Sequence, residues 1–267
     1  MHERRQRLET VLSHLGPASI AVSGGVDSMT LAVLAHRIDP GNFAIVHAIS
    51  PAVPPEATER VSDWAAREGW RLTALDAGEF DDPDYRRNPV NRCFFCKRRL
   101  YSAIASRIDG TIASGTNKDD LGDYRPGLDA ARNFDVRHPY VEAEIEKAGV
   151  RALARELGLG GLAELPASPC LSSRIETAIP IDPQALRLVH QVEQLVSDRL
   201  RPETVRCRVR STGLVIELDD ASFERFRERE PDLPNEIEGL LKAANRTSSI
   251  AVAPYRMGSA FLGARVP

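Results

Sequence analysis

The chain has 267 residues, 42% of them hydrophobic, with a formal net charge of −3 and a pI near 6.1. That length can bury one or two real cores, and the mild acidity argues against a dedicated nucleic-acid binder. No apolar run approaches the roughly 18 residues of a membrane helix, and the opening MHERRQRLETVL lacks the apolar centre of a secretory leader, so it reads as the amphipathic first helix of a cytoplasmic protein.

The predicted elements alternate. Short apolar runs at 18–22 (ASIAV), 43–49 (FAIVHAI), 71–75 (RLTAL) and 111–114 (TIAS) read as strands, and helical patterns at 27–38, 56–69 and 96–108 separate them. A further helix is expected at 146–158, followed by a Gly-, Pro- and Ser-rich stretch from 157 to 183. The pattern then restarts with a helix at 183–200, strands at 204–210 and 213–218, helices at 220–229 and 234–245, and a strand at 248–254. Together these predict an α/β fold: a doubly wound parallel sheet over 1–158, a loop or linker at 159–182 and a smaller C-terminal α/β domain at 183–267. In such sheets ligands sit at the carboxyl ends of the strands. The loops after strands one and four, SGGVDS and SGTNKDD, stand there.

SGGVDS follows an apolar strand and opens a helix. Gly24 and Gly25 let the backbone approach a ligand, successive N–H groups at the helix start form an anion cradle, and Ser23 and Ser28 add hydroxyls. Asp27 either caps the helix or holds Mg2+. For SGG alone, an ordinary Gly-rich turn is an equal reading; the longer string is more specific. It is not a Walker A loop, because no lysine stands in or just after it. The chain's four lysines are Lys97, Lys118, Lys147 and Lys242.

Cys93 and Cys96 form a CxxC, and Cys170 stands in the Gly- and Pro-rich stretch. On spacing alone the CxxC is a reduced pair at a helix start, a redox pair or half of a zinc site; no second CxxC or histidine cluster completes a zinc site. In TVRCRVR, alternation places Val205, Cys207 and Val209 on one face and Arg206, Arg208 and Arg210 on the other. Cys207 reads as a small buried hydrophobe, and the arginines as either a solvated strand face or an anion site.

SGGVDS resembles the PP-loop of the ATP pyrophosphatase superfamily. NRCFFCKRRLY (91–101), SGTNKDDLGDYRPGLDAAR (114–132), ASPCLSSR (167–174) and PYRMGS (254–259) resemble the LarE family, the sulfur-insertion enzymes of nickel-pincer cofactor synthesis, and the likeness spans roughly 15 to 260. The resemblance implies cleavage of ATP between its α- and β-phosphates, with Mg2+, to adenylate each carboxylate of a pyridinium-3,5-biscarboxylic acid mononucleotide. Sulfur then displaces AMP to give a thiocarboxylate.

It further implies nucleotide and pyrophosphate binding by Ser23, Gly24, Gly25, Asp27 (with Mg2+), Ser28, Lys97, Gly115, Thr116 and Asn117, and substrate-phosphate binding by Arg174, Arg208, Arg210 and Arg256. Asp119, Asp120 and Asp123 either bind Mg2+ or cap the following helix, and Arg174 orients the adenylate or fixes its loop. Members with three cysteines hold a [4Fe-4S] cluster, here on Cys93, Cys96 and Cys170, fed by sulfide or another sulfur donor; in members with one, the cysteine at the Cys170 position gives up its own sulfur and becomes dehydroalanine. A homo-oligomer is implied, with no membrane or nucleic-acid partner. The chain departs from the family at 211–213 (STG), where a histidine and a longer turn are usual. An NAD-synthetase-like amidating enzyme and a tRNA thiolase are the alternatives within the superfamily.

Overall fold

The computed structural model describes residues 2–122, 124–229 and 232–261, so Asp123 lies outside the described residues. In chain order the elements are α1 (His2–Ser13), β1 (Ala18–Val22), α2 (Val26–Ile38), β2 (Phe43–Ala48), α3 (Pro55–Glu68), β3 (Leu72–Leu75), α4 (Pro83–Arg86), α5 (Arg92–Ala105) and β4 (Thr111–Ser114). They continue with α6 (Pro126–Arg132), α7 (Pro139–Glu142), α8 (Lys147–Glu156), α9 (Pro183–Leu200), β5 (Val205–Arg210), β6 (Gly213–Leu218), α10 (Asp220–Arg229), α11 (Leu233–Ala243) and β7 (Ile250–Pro254). Among the described residues no helix is long and apolar enough to cross a membrane.

The chain divides into two compact units. One comprises residues up to Asp82 together with Asn91–Ser168; the other comprises Pro83–Val90 and the chain from Pro169 onward. The cut at Ser168 falls inside the Gly-, Pro- and Ser-rich stretch.

The first unit is built on a parallel sheet of order β3-β2-β1-β4. Successive strand residues point to opposite faces, so Ile45 enters a core shared with α1, α2, α3 and α8, while its neighbour Val46 enters a second core with α5 and α6. With both faces covered, the strands read as nearly continuous apolar runs rather than alternating ones. Helix α2 is buried along most of its length, from Val26 to His36, which explains its apolar sequence. The connections reverse direction at β1, so the loops after β1 and β4 lie side by side at the carboxyl edge, where such folds bind ligands.

The second unit holds a three-stranded sheet of order β5-β6-β7, antiparallel between β5 and β6 and parallel between β6 and β7. Helix α9 begins at Pro183, with the Asp182 carboxylate accepting from the Gln184 N–H, and buries Leu186, Val189, Val192 and Val196. The segment carrying α4 joins this unit through Asn88, whose amide donates to the carbonyls of Glu176 and Ile179 at 2.8 and 2.9 Å. Tyr85 adds a buried hydroxyl contact of 2.6 Å with Ser172.

Candidate active site

In the first unit the cradle is formed by the turn between β1 and α2. Gly24 has φ +79°, a left-handed conformation that a side chain disfavours, and a Cβ there would come within 2.7 Å of the Ala57 carbonyl oxygen. Gly25 is the N-cap of α2 and receives no side-chain cap. The Ser23 N–H donates to Ser28 Oγ at 3.0 Å, and the two hydroxyls stand 3.3 Å apart. These bonds close the turn on itself. The Arg60 guanidinium donates to the Gly24 carbonyl at 2.8 Å and fixes that peptide from outside.

Asp27 does not cap its helix. Its Oδ1 accepts from the Asn117 amide at 3.4 Å, its Oδ2 is paired with the Lys147 ammonium, and its backbone carbonyl accepts from the Tyr140 hydroxyl at 3.0 Å. Burial and the nearby Asp27 charge push the Tyr140 hydroxyl pKa well above the usual phenol range, so it stays a donor. The loop after β4 therefore bonds directly to the loop after β1. Asn117 is also an N-cap: its Oδ1 accepts from the Asp119 N–H, while Asp120 accepts from the Asn117 N–H, both at 3.0 Å. Of the two readings for these acids, Asp120 adopts the capping one and carries an ion pair to Arg125 at 2.7 Å. Asp119 Oδ2 accepts from the Lys147 backbone N–H at 3.1 Å. Thr116 meets the Ser114 hydroxyl at 3.0 Å, and Ser114 also meets His138 Nδ1 at 2.9 Å.

Helix α5 starts at Arg92, four residues before the expected 96, with Asn91 as N-cap and its carbonyl accepting from the Phe94 N–H. Cys93 and Cys96 thus share one face of its first turns and are partly exposed. Lys97 runs along α5, its ammonium 5.8 Å from the Tyr101 ring centroid and its stem against Gly127.

In the second unit Cys170 is exposed and precedes a single helical turn, Leu171–Arg174. Arg174 is almost fully buried. It forms a two-pronged pair with Glu193, both bonds at 2.9 Å, and its third nitrogen donates to the Pro169 and Cys170 carbonyls. Glu193 also accepts from the Cys207 N–H at 2.8 Å. Cys207 is fully buried, and that burial pushes its thiol pKa up.

The β5 arginines do not form a solvated face. Arg208 is buried, pairing with Glu217 at 2.9 Å and donating to the Ser173 carbonyl at 2.9 Å. Arg210 pairs with the same Glu217 at 2.8 Å and donates to the Ser259 carbonyl at 3.0 Å. The period-2 pattern alone could not reveal the acids of neighbouring elements that draw these arginines inward. Arg256 is exposed. Among the described residues, no group of three or more His, Cys, Asp and Glu side chains is placed to hold a metal ion.

No protein-family model matches the chain. An uncharacterized protein of Synechocystis is 35% identical over 231 residues, covering 85% of each chain. The pyridinium-3,5-bisthiocarboxylic acid mononucleotide synthase of Lactiplantibacillus plantarum is 28% identical over 84% of this chain and 82% of its own. The chain belongs to one family with the Synechocystis protein, and its likeness to the synthase supports the LarE/PP-loop reading. A more distant relative, one of the subunits of a glutamine-hydrolysing GMP synthase from Methanopyrus kandleri, is 26% identical over 68% of this chain and 63% of its own.

Within the first unit, sequence reasoning singled out Ser23, Gly24, Gly25, Asp27, Ser28, Gly115, Thr116 and Asn117, which the structure places in the two abutting loops, and Lys97, which stands on α5 instead. It missed Arg60, Tyr140 and Lys147, which reach the same loops from α3, α7 and α8. Only the scarcity of lysine pointed toward Lys147, and nothing local marked the other two.

Proposed function

We propose that the protein is an ATP-dependent sulfur transferase that adenylates the carboxylates of pyridinium-3,5-biscarboxylic acid mononucleotide and converts them to thiocarboxylates. The observation that carries this reading is the glycine cradle after β1 locked against the loop after β4, in a chain similar over most of its length to the bisthiocarboxylic acid mononucleotide synthase.

The cradle suits a leaving pyrophosphate. The Ser23 and Ser28 hydroxyls and the first N–H groups of α2 supply donors, and Asp27 is the carboxylate positioned to carry Mg2+. A substrate carboxylate oxygen attacks the α-phosphorus, the bond to the β-phosphate oxygen breaks, and pyrophosphate departs. The acyl-adenylate then has AMP as its leaving group, which makes the acyl carbon open to a sulfur nucleophile. Arg256 is exposed and free to meet the substrate phosphate, whereas Arg174, Arg208 and Arg210 act there only by giving up or sharing the acids that hold them.

Three of the four cysteines lie outside the core, and only Cys207 is buried. Cys93, Cys96 and Cys170 supply three thiols, the ligand type a [4Fe-4S] cluster takes, and Cys93 and Cys96 share one helix face. Such a cluster supplies an iron site for transferable sulfide, which spares the polypeptide. A second reading rests on Cys170 being the exposed thiol of the three, the other two being only partly exposed; there its own sulfur leaves and dehydroalanine remains.

The test is anaerobic turnover with Mg2+, ATP and the biscarboxylate mononucleotide. Pyrophosphate and AMP should appear together with a product in which sulfur has replaced oxygen. Pyrophosphate release without sulfur in the product would leave an adenylating enzyme of another kind, and no release would sink the reading.

A further inference from the structure

Behind the loop after β4 stands a buried hydroxyl, and behind that hydroxyl stands a histidine. β4 lies at one end of its sheet, and its outer side is bridged by Arg137. The Arg137 N–H donates to the Ile112 carbonyl at 2.8 Å, and the Ser114 N–H donates to the Arg137 carbonyl at 3.0 Å. This bridge delivers His138, just before α7, to the last residue of β4. Its Nδ1 lies 2.9 Å from Ser114 Oγ, which in turn lies 3.0 Å from Thr116 Oγ1. Ser114 is buried, while Thr116 and His138 are half-buried.

Such a chain of polar atoms runs in one of two directions. With Nδ1 bare, Ser114 donates to His138 and Thr116 donates to Ser114, so Thr116 has only lone pairs left to offer. With a proton on Nδ1 the order reverses: His138 donates to Ser114, Ser114 donates to Thr116, and the Thr116 proton is released. The anionic phosphate oxygens of a nucleotide only accept hydrogen bonds. Thr116 is placed beside the cradle, since Gly115 lies against the Ser28 backbone and the Asn117 amide donates to Asp27.

We propose that His138 is a positioning residue of the nucleotide site: with Nδ1 protonated, it orients the Ser114 and Thr116 hydroxyls so that Thr116 donates to a phosphate oxygen of bound ATP. His138 itself touches no substrate. This inference rests on the ATP-using reading and adds to that site a residue acting from behind it.

Calorimetric titration of the full-length protein with Mg·ATP tests it. Thr116→Val should weaken binding about tenfold, in line with a lost hydrogen bond to a charged group. His138→Leu should do nearly the same in the parent and nothing further when added to Thr116→Val. His138→Asn, whose amide can donate from the place of Nδ1, should keep most of the affinity. A merely structural role would weaken binding equally in both backgrounds without rescue by Asn, which would overturn the proposal. So would parental affinity in Thr116→Val or in a folded His138→Leu protein. Should His138→Leu not fold, nitrogen-15 NMR of the parent with Mg·ATP decides: a protonated Nδ1 on His138 supports the inference, and a bare one refutes it. If the parent binds no Mg·ATP, the ATP-using reading fails, and this inference falls with it.

Discussion

Gly115 lies so close to Ser28 that a Cβ on Gly115 would stand 2.7 Å from the Ser28 backbone nitrogen and 2.8 Å from its Cα. Both neighbours are backbone at the start of α2, so neither can swing away. Gly115→Ala therefore forces the loops after β1 and β4 apart. The expected cost is about 1–3 kcal/mol of stability, as for other overpacked sites, with a larger proportional loss of ATP affinity. Thermal melting and nucleotide titration of the same variant check this; normal ATP affinity would show that the contact does not shape the cradle.

The second unit predicts a split between its arginines. Arg208 is buried against Glu217 and the Ser173 carbonyl, so Arg208→Met leaves a buried carboxylate short of a partner. Glu217 keeps Arg210 and the Ser259 hydroxyl as partners, so the expected loss is about 1.5–3 kcal/mol, that of a hydrogen bond to a charged group, visible as a fall in denaturation midpoint. Arg256→Ala removes an exposed side chain and should leave the midpoint within the ~0.5 kcal/mol typical of surface changes while weakening mononucleotide binding. Equal stability of the two variants would contradict the burial argument.

Stability should also depend on pH through His47. This buried ring meets the Val22 carbonyl through Nδ1 at 3.0 Å and the Thr58 hydroxyl through Nε2 at 2.9 Å, the arrangement of a neutral imidazole that donates from Nδ1. Burial lowers its pKa below the ordinary 6.5, and burial likewise lowers that of His138. The folded state therefore binds fewer protons than the unfolded one below about pH 6.5. The histidine contribution is complete above that value and is lost as pH falls through the depressed folded pKa values. Melting temperature should drop on acidification from about pH 7, and His47→Asn should make the slope shallower. An unchanged slope in the variant would remove His47 as a cause.

The strands were legible as short apolar runs bounded by turn residues, and the long helices by their 3.6-residue period: ASIAV and FAIVHAI became β1 and β2 within a residue of their expected ends. The short helices α4, α6 and α7 were not, because each spans too few residues for a period to show. Their remaining signal was a proline at the first helical position, at Pro83, Pro126 and Pro139. The cradle residues were legible because they adjoin in sequence. Lys147 and Arg60 were not, since only the sheet order β3-β2-β1-β4 brings α8 and α3 to the loop after β1. The burial of Arg208 likewise depends on Glu217 across the hairpin, a pairing set by strand register.

The two sulfur routes make opposite demands on Cys93. If a cluster on Cys93, Cys96 and Cys170 carries the sulfide, Cys93→Ala removes one of its three ligands. The variant, purified anaerobically, should then hold far less iron than the parent and make no thiocarboxylate, while still releasing pyrophosphate on adenylating the substrate. If Cys170 gives up its own sulfur, Cys93 is a bystander on α5: Cys93→Ala keeps one turnover per chain, and mass spectrometry finds the protein lighter by one hydrogen sulfide, with dehydroalanine at position 170. Cys170→Ser abolishes sulfur transfer on either route and serves as the shared control. Iron content and protein mass, measured on the same Cys93→Ala sample, thus decide between the routes without relying on activity alone. Iron-free parent protein that gains no iron on reconstitution, yet loses sulfur from Cys170 during turnover, would refute the cluster.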